Sequence, residues 1–106
     1  MGSDAEHSHG PLVVMLSFIE AKRGFEQLLT EELCRLVRSS RREAGCLLFD
    51  LYRIASQHSR FALYEVWEIR AAMEAHARNF HTTKFRMTAE EFLAQPIEVL
   101  ELEEVI

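Results

Sequence analysis

The spacing of the apolar residues changes several times along this chain of 106 residues, and this change restricts the folds it can adopt. Residues 12–19 are rich in β-branched and aromatic side chains and apolar on both faces, which predicts a strand in the middle of a sheet. From Phe25 onward, apolar residues recur at three- and four-residue steps between charged ones, which predicts an amphipathic helix of about four turns. Residues 46–54 and 60–68 alternate as strands, joined by a polar connection of hairpin length. This part of the pattern predicts the order β-α-β-β.

The rest of the chain predicts a second helix and a closing strand. Residues 69–80 carry an apolar stripe at helical spacing, and residues 81–87 are compatible with a bent continuation of that helix or with a short helix. Thr88 followed by Glu91 fits a capping box for a further helical turn, and residues 97–105 alternate as a strand. The full order, β-α-β-β-α-β, predicts an α+β, ferredoxin-like domain in which two helices cover one face of an antiparallel four-stranded sheet.

Length and composition fit one domain behind a short polar leader. Residues 1–10 are small and polar, which predicts a disordered leader before a single domain at residues 11–106. The longest apolar runs span about eight residues, against the ~20 that cross a bilayer, so we expect no membrane partner. Seventeen acidic residues against twelve basic ones argue against nucleic acid as the main partner. Cys34 and Cys46 match no metal or redox spacing, which is typical of free thiols in a reducing, cytoplasmic location.

The predicted sheet has two apolar faces, and the two predicted helices can cover only one of them. Both faces of the first three strands carry apolar side chains, whereas two helices on one side leave the other side open. Large exposed apolar patches usually mark an interface with a partner. The sequence therefore predicts a homodimer that packs through the open sheet face.

Four segments resemble the antibiotic biosynthesis monooxygenase family: residues 45–53 (GCLLFDLYR), 60–68 (RFALYEVWE), 71–76 (AAMEAH) and 81–85 (HTTKF). The resemblance runs from about residue 13 to residue 102. It implies a ferredoxin-like subunit of a dimeric α+β barrel, with a pocket between sheet and helices in each subunit. It also implies oxidation of a phenolic or hydroquinone substrate by molecular oxygen, with no metal or organic cofactor.

His76 and Glu65 are the candidate catalytic residues. His76 lies on the apolar stripe of the second helix, where a histidine is either a hydrogen-bonded core residue or a base, and the resemblance implies that it faces the pocket. A neutral imidazole can accept a phenolic proton near neutral pH. Glu65 lies within an apolar strand, where a carboxylate is costly to bury without a partner. Its partner could be His76, which it would then orient, or Arg53 in a structural ion pair.

The candidate substrate-binding residues are Trp67, His81, Phe80 and Phe85. Trp67 shares a strand face with Glu65 and either fills the core or stacks on a flat substrate. Phe80 and Phe85 are expected to line the pocket. His81 follows His76 by five residues, a rotation of about 140° on a regular helix, so the two imidazoles should not chelate one metal. A helix break after Phe80 would instead bring His81 to the pocket mouth.

These observations support a cofactor-independent monooxygenase that oxidises a hydroquinone or polycyclic phenol with molecular oxygen. A non-catalytic module that binds a small aromatic ligand, or acts in a stress response, is the alternative, because the same pocket could bind without catalysis. Haem degradation is less favoured. The haem-degrading branch carries Asn on the first strand and His late in the second helical region, where this chain has Ser17 and Arg86.

Overall fold

The computed structural model describes residues 12–106 and shows an α+β domain with an antiparallel four-stranded sheet, as the sequence predicts. The predicted leader, residues 1–10, lies outside the described residues. The elements are β1 (Val13–Glu20), α1 (Glu26–Ser40), β2 (Cys46–Arg53), β3 (Arg60–Trp67), α2 (Arg70–Arg78), α3 (Phe80–Ala89), a 3-10 turn (Glu90–Phe92) and β4 (Glu98–Leu102). Within residues 12–106, no helix combines the length and hydropathy needed to cross a bilayer.

The strand order is β2-β3-β1-β4, so β1 is central, as its two apolar faces predict. β1 and β3 pair along their whole length, with Val13 opposite Trp67 and Met15 opposite Glu65. Because side chains alternate along a strand, these residues point to the same face of the sheet. The helices cover that face, and α1 buries Leu29 and Leu33 against it.

The second helical region consists of two helices, and the break between them lies slightly earlier than the end predicted at Phe80. α2 ends at Arg78, Asn79 has an extended backbone with ψ 150°, and α3 begins at Phe80. The Asn79 side chain accepts a hydrogen bond from the His81 backbone N–H at 3.3 Å, which caps the new helix. This break changes the direction of every side chain after Asn79.

Two boundary predictions at the C-terminal end are wrong. Thr88 does not cap a new helix, because it lies inside α3, which continues to the buried Ala89 and then tightens into the 3-10 turn. The closing strand is shorter than predicted and covers only Glu98–Leu102. Pro96 lies just before it, where the missing backbone N–H cannot join the sheet.

The second face of the sheet is largely apolar, and no helix within residues 12–106 covers it. The register places the outward side chains of β1 opposite those of β3, with Val14 opposite Val66 and Leu16 opposite Tyr64. The edge strands extend the apolar area through Leu48 and Leu100, both of which are exposed. We refer to this surface as the open sheet face. Its apolar outward side chains are Val14, Leu16, Phe18, Leu48, Tyr52, Ala62, Tyr64, Val66, Leu100 and Leu102, and its charged ones are Glu20, Asp50, Arg60 and Glu98.

Candidate functional site

A pocket of about 570 Å³ lies between the covered face of the sheet and the helices. Its volume falls within the range of roughly 300–1,000 Å³ that is usual for small-molecule sites. Apolar side chains form much of its wall, among them Ile19, Phe49, Leu63, Phe85, Leu93 and Ile97. Polar groups converge on the same space from Ser17, Glu65, His76, Thr82, Arg86, Glu90 and Gln95. A largely apolar pocket with a few convergent polar groups is the usual form of a binding or active site.

His76 is the histidine that α2 delivers to this pocket, and it is only 7% exposed. Its ring packs between two aromatic rings, with centroids 4.7 Å from Trp67 and 5.3 Å from Phe49. The Nε2 atom lies 3.9 Å from Oε1 of Glu65, whereas Nδ1 lies 3.1 Å from Oε2 of Glu43. The two ring nitrogens therefore face two different carboxylates, and packing fixes the ring plane.

Glu65 lies beside His76 and away from Arg53. Its Oε1 accepts a hydrogen bond from the indole Nε1–H of Trp67 at 2.9 Å. The guanidinium group of Arg53 instead stacks over Phe61 and donates a hydrogen bond to a threonine hydroxyl on α1. Of the two partners that sequence left open for Glu65, the structure therefore brings His76 close. Burial raises the pKa of Glu65, although the indole hydrogen bond and the positive charge of a protonated His76 oppose that effect.

Because the pKa of Glu65 is raised on folding, Glu65→Gln should stabilise the protein at alkaline pH. As pH rises, the unfolded chain loses this proton before the folded chain does, so the wild-type free energy of unfolding falls across that interval. Glutamine avoids the buried charge and keeps an oxygen that can accept from Trp67. Urea unfolding at several pH values should show the variant more stable at pH ~8, with the gap closing near pH ~4.

The matched control for this measurement is the exposed Glu104, whose replacement by glutamine should produce no such pH-dependent gap. A Glu65→Gln variant that is less stable than the wild type at pH ~8 would mean that attraction to His76 outweighs the cost of burial.

Glu43 belongs to the site, and the sequence analysis did not find it. It lies in the loop between α1 and β2, and its Oε2 contacts both Nδ1 of His76 and Nε2 of His81. The residue is 33 positions before His76 and stands in a charged loop with no helical or strand periodicity. No local pattern therefore marks it, and only the packing of the loop against α2 brings it into place.

The break at Asn79 also overturns the expected separation of the two histidines. The rotation of about 140° holds only on one regular helix. With α2 ended and α3 begun, the two imidazole centroids lie 6.3 Å apart and both rings reach Glu43. The expected separation of the two imidazoles depended on one regular helix, and that condition is not met, because both rings contact the same carboxylate. His81 is not part of the pocket wall.

The aromatic candidates take three different positions. Phe85 is buried and lines the pocket. Trp67 is fully buried behind the His76 ring and is not part of the wall, so it supports the imidazole and orients Glu65. Phe80 is 76% exposed at the start of α3, because the break at Asn79 turns it away from the pocket.

Comparison with known proteins gives one consistent family. The sequence model of antibiotic biosynthesis monooxygenase matches residues 12–88. "Putative monooxygenase YcnE" of Bacillus subtilis is 28% identical over 92 residues, covering 87% of this chain and 97% of that protein. The crystal structure of PA3566 from Pseudomonas aeruginosa is 31% identical with a TM-score of 0.86, covering 92% of this chain and 98% of that one. Rv0793 from Mycobacterium tuberculosis shares the fold at 24% identity and a TM-score of 0.84, covering 91% and 97%.

Proposed function

The chain belongs to the antibiotic biosynthesis monooxygenase family, and on that premise we propose that it oxidises a hydroquinone or polycyclic phenol with molecular oxygen and no cofactor. The observation that carries the proposal is the position of His76 in the pocket wall. Its Nε2 side faces Glu65, which also lines the pocket, and the surrounding wall is largely apolar. Such a site can hold a flat aromatic molecule and remove a proton from its hydroxyl group.

Glu43 prepares His76 for this role. When Nδ1–H of His76 donates to the Glu43 carboxylate at 3.1 Å, the proton of the neutral imidazole is held on Nδ1. Nε2 is then left unprotonated on the side of Glu65 and the pocket. A base oriented by a carboxylate in this way is a recurring arrangement in enzymes.

The reaction we propose consumes one oxygen molecule and releases one water. Nε2 of His76 accepts the phenolic proton, and the electron-rich ring carbon of the anion then bonds to oxygen. The imidazolium returns its proton to the terminal oxygen of the resulting peroxide. Breaking of the O–O bond with loss of the ring C–H proton releases water and leaves a new carbonyl group. Arg86, which lines the pocket, provides positive charge for the anionic species.

Oxygen uptake with a panel of hydroquinones and naphthols tests this function. We expect consumption of one oxygen molecule per product molecule, after treatment of the protein with a chelator such as EDTA. A compound that raises the melting temperature without consuming oxygen would show the non-catalytic binding module instead. If every compound of the panel gives neither turnover nor a thermal shift, the proposed substrate class is wrong.

We also propose that two copies associate through the open sheet face. Leu16 on the central strand β1 lies opposite Tyr64 on β3. Replacing Leu16 by aspartate would bury two unpaired charges in each dimer interface. This should make the free energy of association less favourable by several kcal/mol in total. We expect the wild type to sediment as a dimer and Leu16→Asp as a monomer, with association weakened ~1,000-fold.

The control for the dimer is Met87→Asp, which makes the same kind of change at a residue of α3 that is exposed on the helical side. It should remain dimeric, and circular dichroism should show both variants folded. A wild-type protein that sediments as a monomer at micromolar concentration would contradict the proposed dimer.

A further inference from the structure

Three side chains beside the pocket are arranged like the ligands of a metal ion. One ligand atom each from Glu43, His76 and His81 lies within 4.8 Å of the other two. They come from three separate segments, namely the loop before β2, α2 and α3. We propose that this cluster binds a divalent transition metal ion of the class that prefers imidazole and carboxylate ligands, with Zn²⁺ as the representative member.

The donor set suits such an ion. Zn²⁺ takes imidazole nitrogen and carboxylate oxygen at about 2.0–2.2 Å, which places neighbouring ligand atoms of a tetrahedral site about 3.3 Å apart. The 3.1 Å separation of His76 Nδ1 and Glu43 Oε2 is close to that spacing. His81 Nε2 contacts the same carboxylate oxygen, so a small rotation of the Glu43 side chain would admit an ion between the three groups.

Burial and charge favour an ion at this position. The side chains of His76 and Glu43 are 9% and 11% exposed, and that of His81 is 27% exposed, which leaves a path from solvent on its side. Among the residues that the structure describes, the salt-bridge partners of Glu43 are these two histidines, with no lysine or arginine. A divalent cation would supply the positive charge that a nearly buried carboxylate needs.

The surroundings of His76 resemble the outer shell of a metal site. A histidine that binds a metal through one nitrogen usually donates its other N–H to a carboxylate, which fixes the tautomer. Glu65 is the carboxylate on the Nε2 side of His76, at 3.9 Å, which is longer than a hydrogen bond, and it is itself held by the Trp67 indole. The buried hydroxyl of Thr82 lies 3.3 Å from Nδ1, near the place a fourth ligand would occupy.

Metal binding and base catalysis at His76 would exclude each other. An ion on Nδ1 requires the proton of the neutral imidazole to be on Nε2, so that Nε2 can no longer accept a phenolic proton. Bound metal would therefore inhibit the proposed oxidation, and for that reason metal binding is measured with no substrate present.

The experiment is titration of the full chain with Zn²⁺ by calorimetry, after EDTA treatment and dialysis, followed by the visible spectrum of the Co²⁺ form. The background is the double variant His7→Ala/His9→Ala, which removes two histidines at the start of the chain. We expect one Zn²⁺ per chain in this background, and Co²⁺ absorption bands of a four-coordinate site. Glu43→Gln and His81→Ala should each weaken binding ~100-fold.

His58→Ala is the matched control, because it removes an exposed histidine of the β2–β3 connection and should leave binding unchanged. Circular dichroism and thermal unfolding would confirm that His81→Ala, a change at a partly exposed residue, keeps the fold. Three results would overturn the proposal: no saturable binding below ~1 mM Zn²⁺, equal affinity in His81→Ala and the wild type, or loss of binding when His7 and His9 are removed.

Discussion

His76→Ala should lower the rate of quinol oxidation by ~100-fold or more, because it removes the base that accepts the phenolic proton. The change leaves Glu65, Arg86 and Phe85 in the pocket wall, so substrate should still bind. We therefore expect the loss mainly in kcat, with a smaller change in KM. Steady-state oxygen uptake with the best substrate of the panel measures both constants.

Two further variants separate the loss of a base from the loss of packing. The His76 ring fills space between Trp67 and Phe49, so alanine also leaves a cavity there. His76→Gln fills more of that space without providing a base, so it should oxidise the substrate as slowly as His76→Ala. Added imidazole should partly restore the oxidation rate of His76→Ala. His58→Ala should keep the wild-type rate. An unchanged kcat in both His76 variants would remove this residue from the mechanism.

Gly45→Ala should destabilise the fold by ~3 kcal/mol, the largest stability effect we expect from a single added methyl group. Gly45 has φ +81°, and a Cβ built there would lie 2.6 Å from Cβ of Ala72 on α2. Neither the backbone of the turn nor the short Ala72 side chain can yield easily. The turn also fixes the start of β2, where the Gly45 carbonyl accepts from the Glu68 N–H at 2.7 Å.

The control is built into the chain, because Gly24 has a similar φ of +89° with no atom within 4 Å of an added Cβ. Gly24→Ala should therefore lower the free energy of unfolding by only ~1 kcal/mol, which is the cost of a positive φ for alanine. Urea unfolding of both variants at one protein concentration gives the comparison, since association would add to the apparent stability. Equal losses for the two glycines would contradict the contact between this turn and α2.

The fold was predictable because its main signals are local. Successive side chains of a strand point to opposite faces, so the sequence alone assigns Leu63, Glu65 and Trp67 to one face. The central place of β1 followed from its two apolar faces. The family resemblance rests on the same segments, and the family match over residues 12–88 confirms it.

The candidate site was predictable only in part, because its decisive contacts are not local. His76 and Glu65 could be singled out by one rule each, a histidine on an apolar stripe and a carboxylate in an apolar strand. Glu43 carried no such signal, since it becomes important only when its loop packs against α2. Asn79 is an ordinary polar residue in a helical pattern, and its capping of α3 decides where Phe80 and His81 point.

The most direct measurement of the proposed function is mass spectrometry of the product formed under ¹⁸O₂. One oxygen atom of each O₂ should enter the product and the other should leave as water, so we expect one ¹⁸O per product molecule, corrected by a parallel reaction in labelled water. His76→Ala should form this labelled product at a rate ~100-fold lower. Product that carries no label from O₂, or oxygen uptake that yields only hydrogen peroxide, would show that the protein is not a monooxygenase of this substrate class.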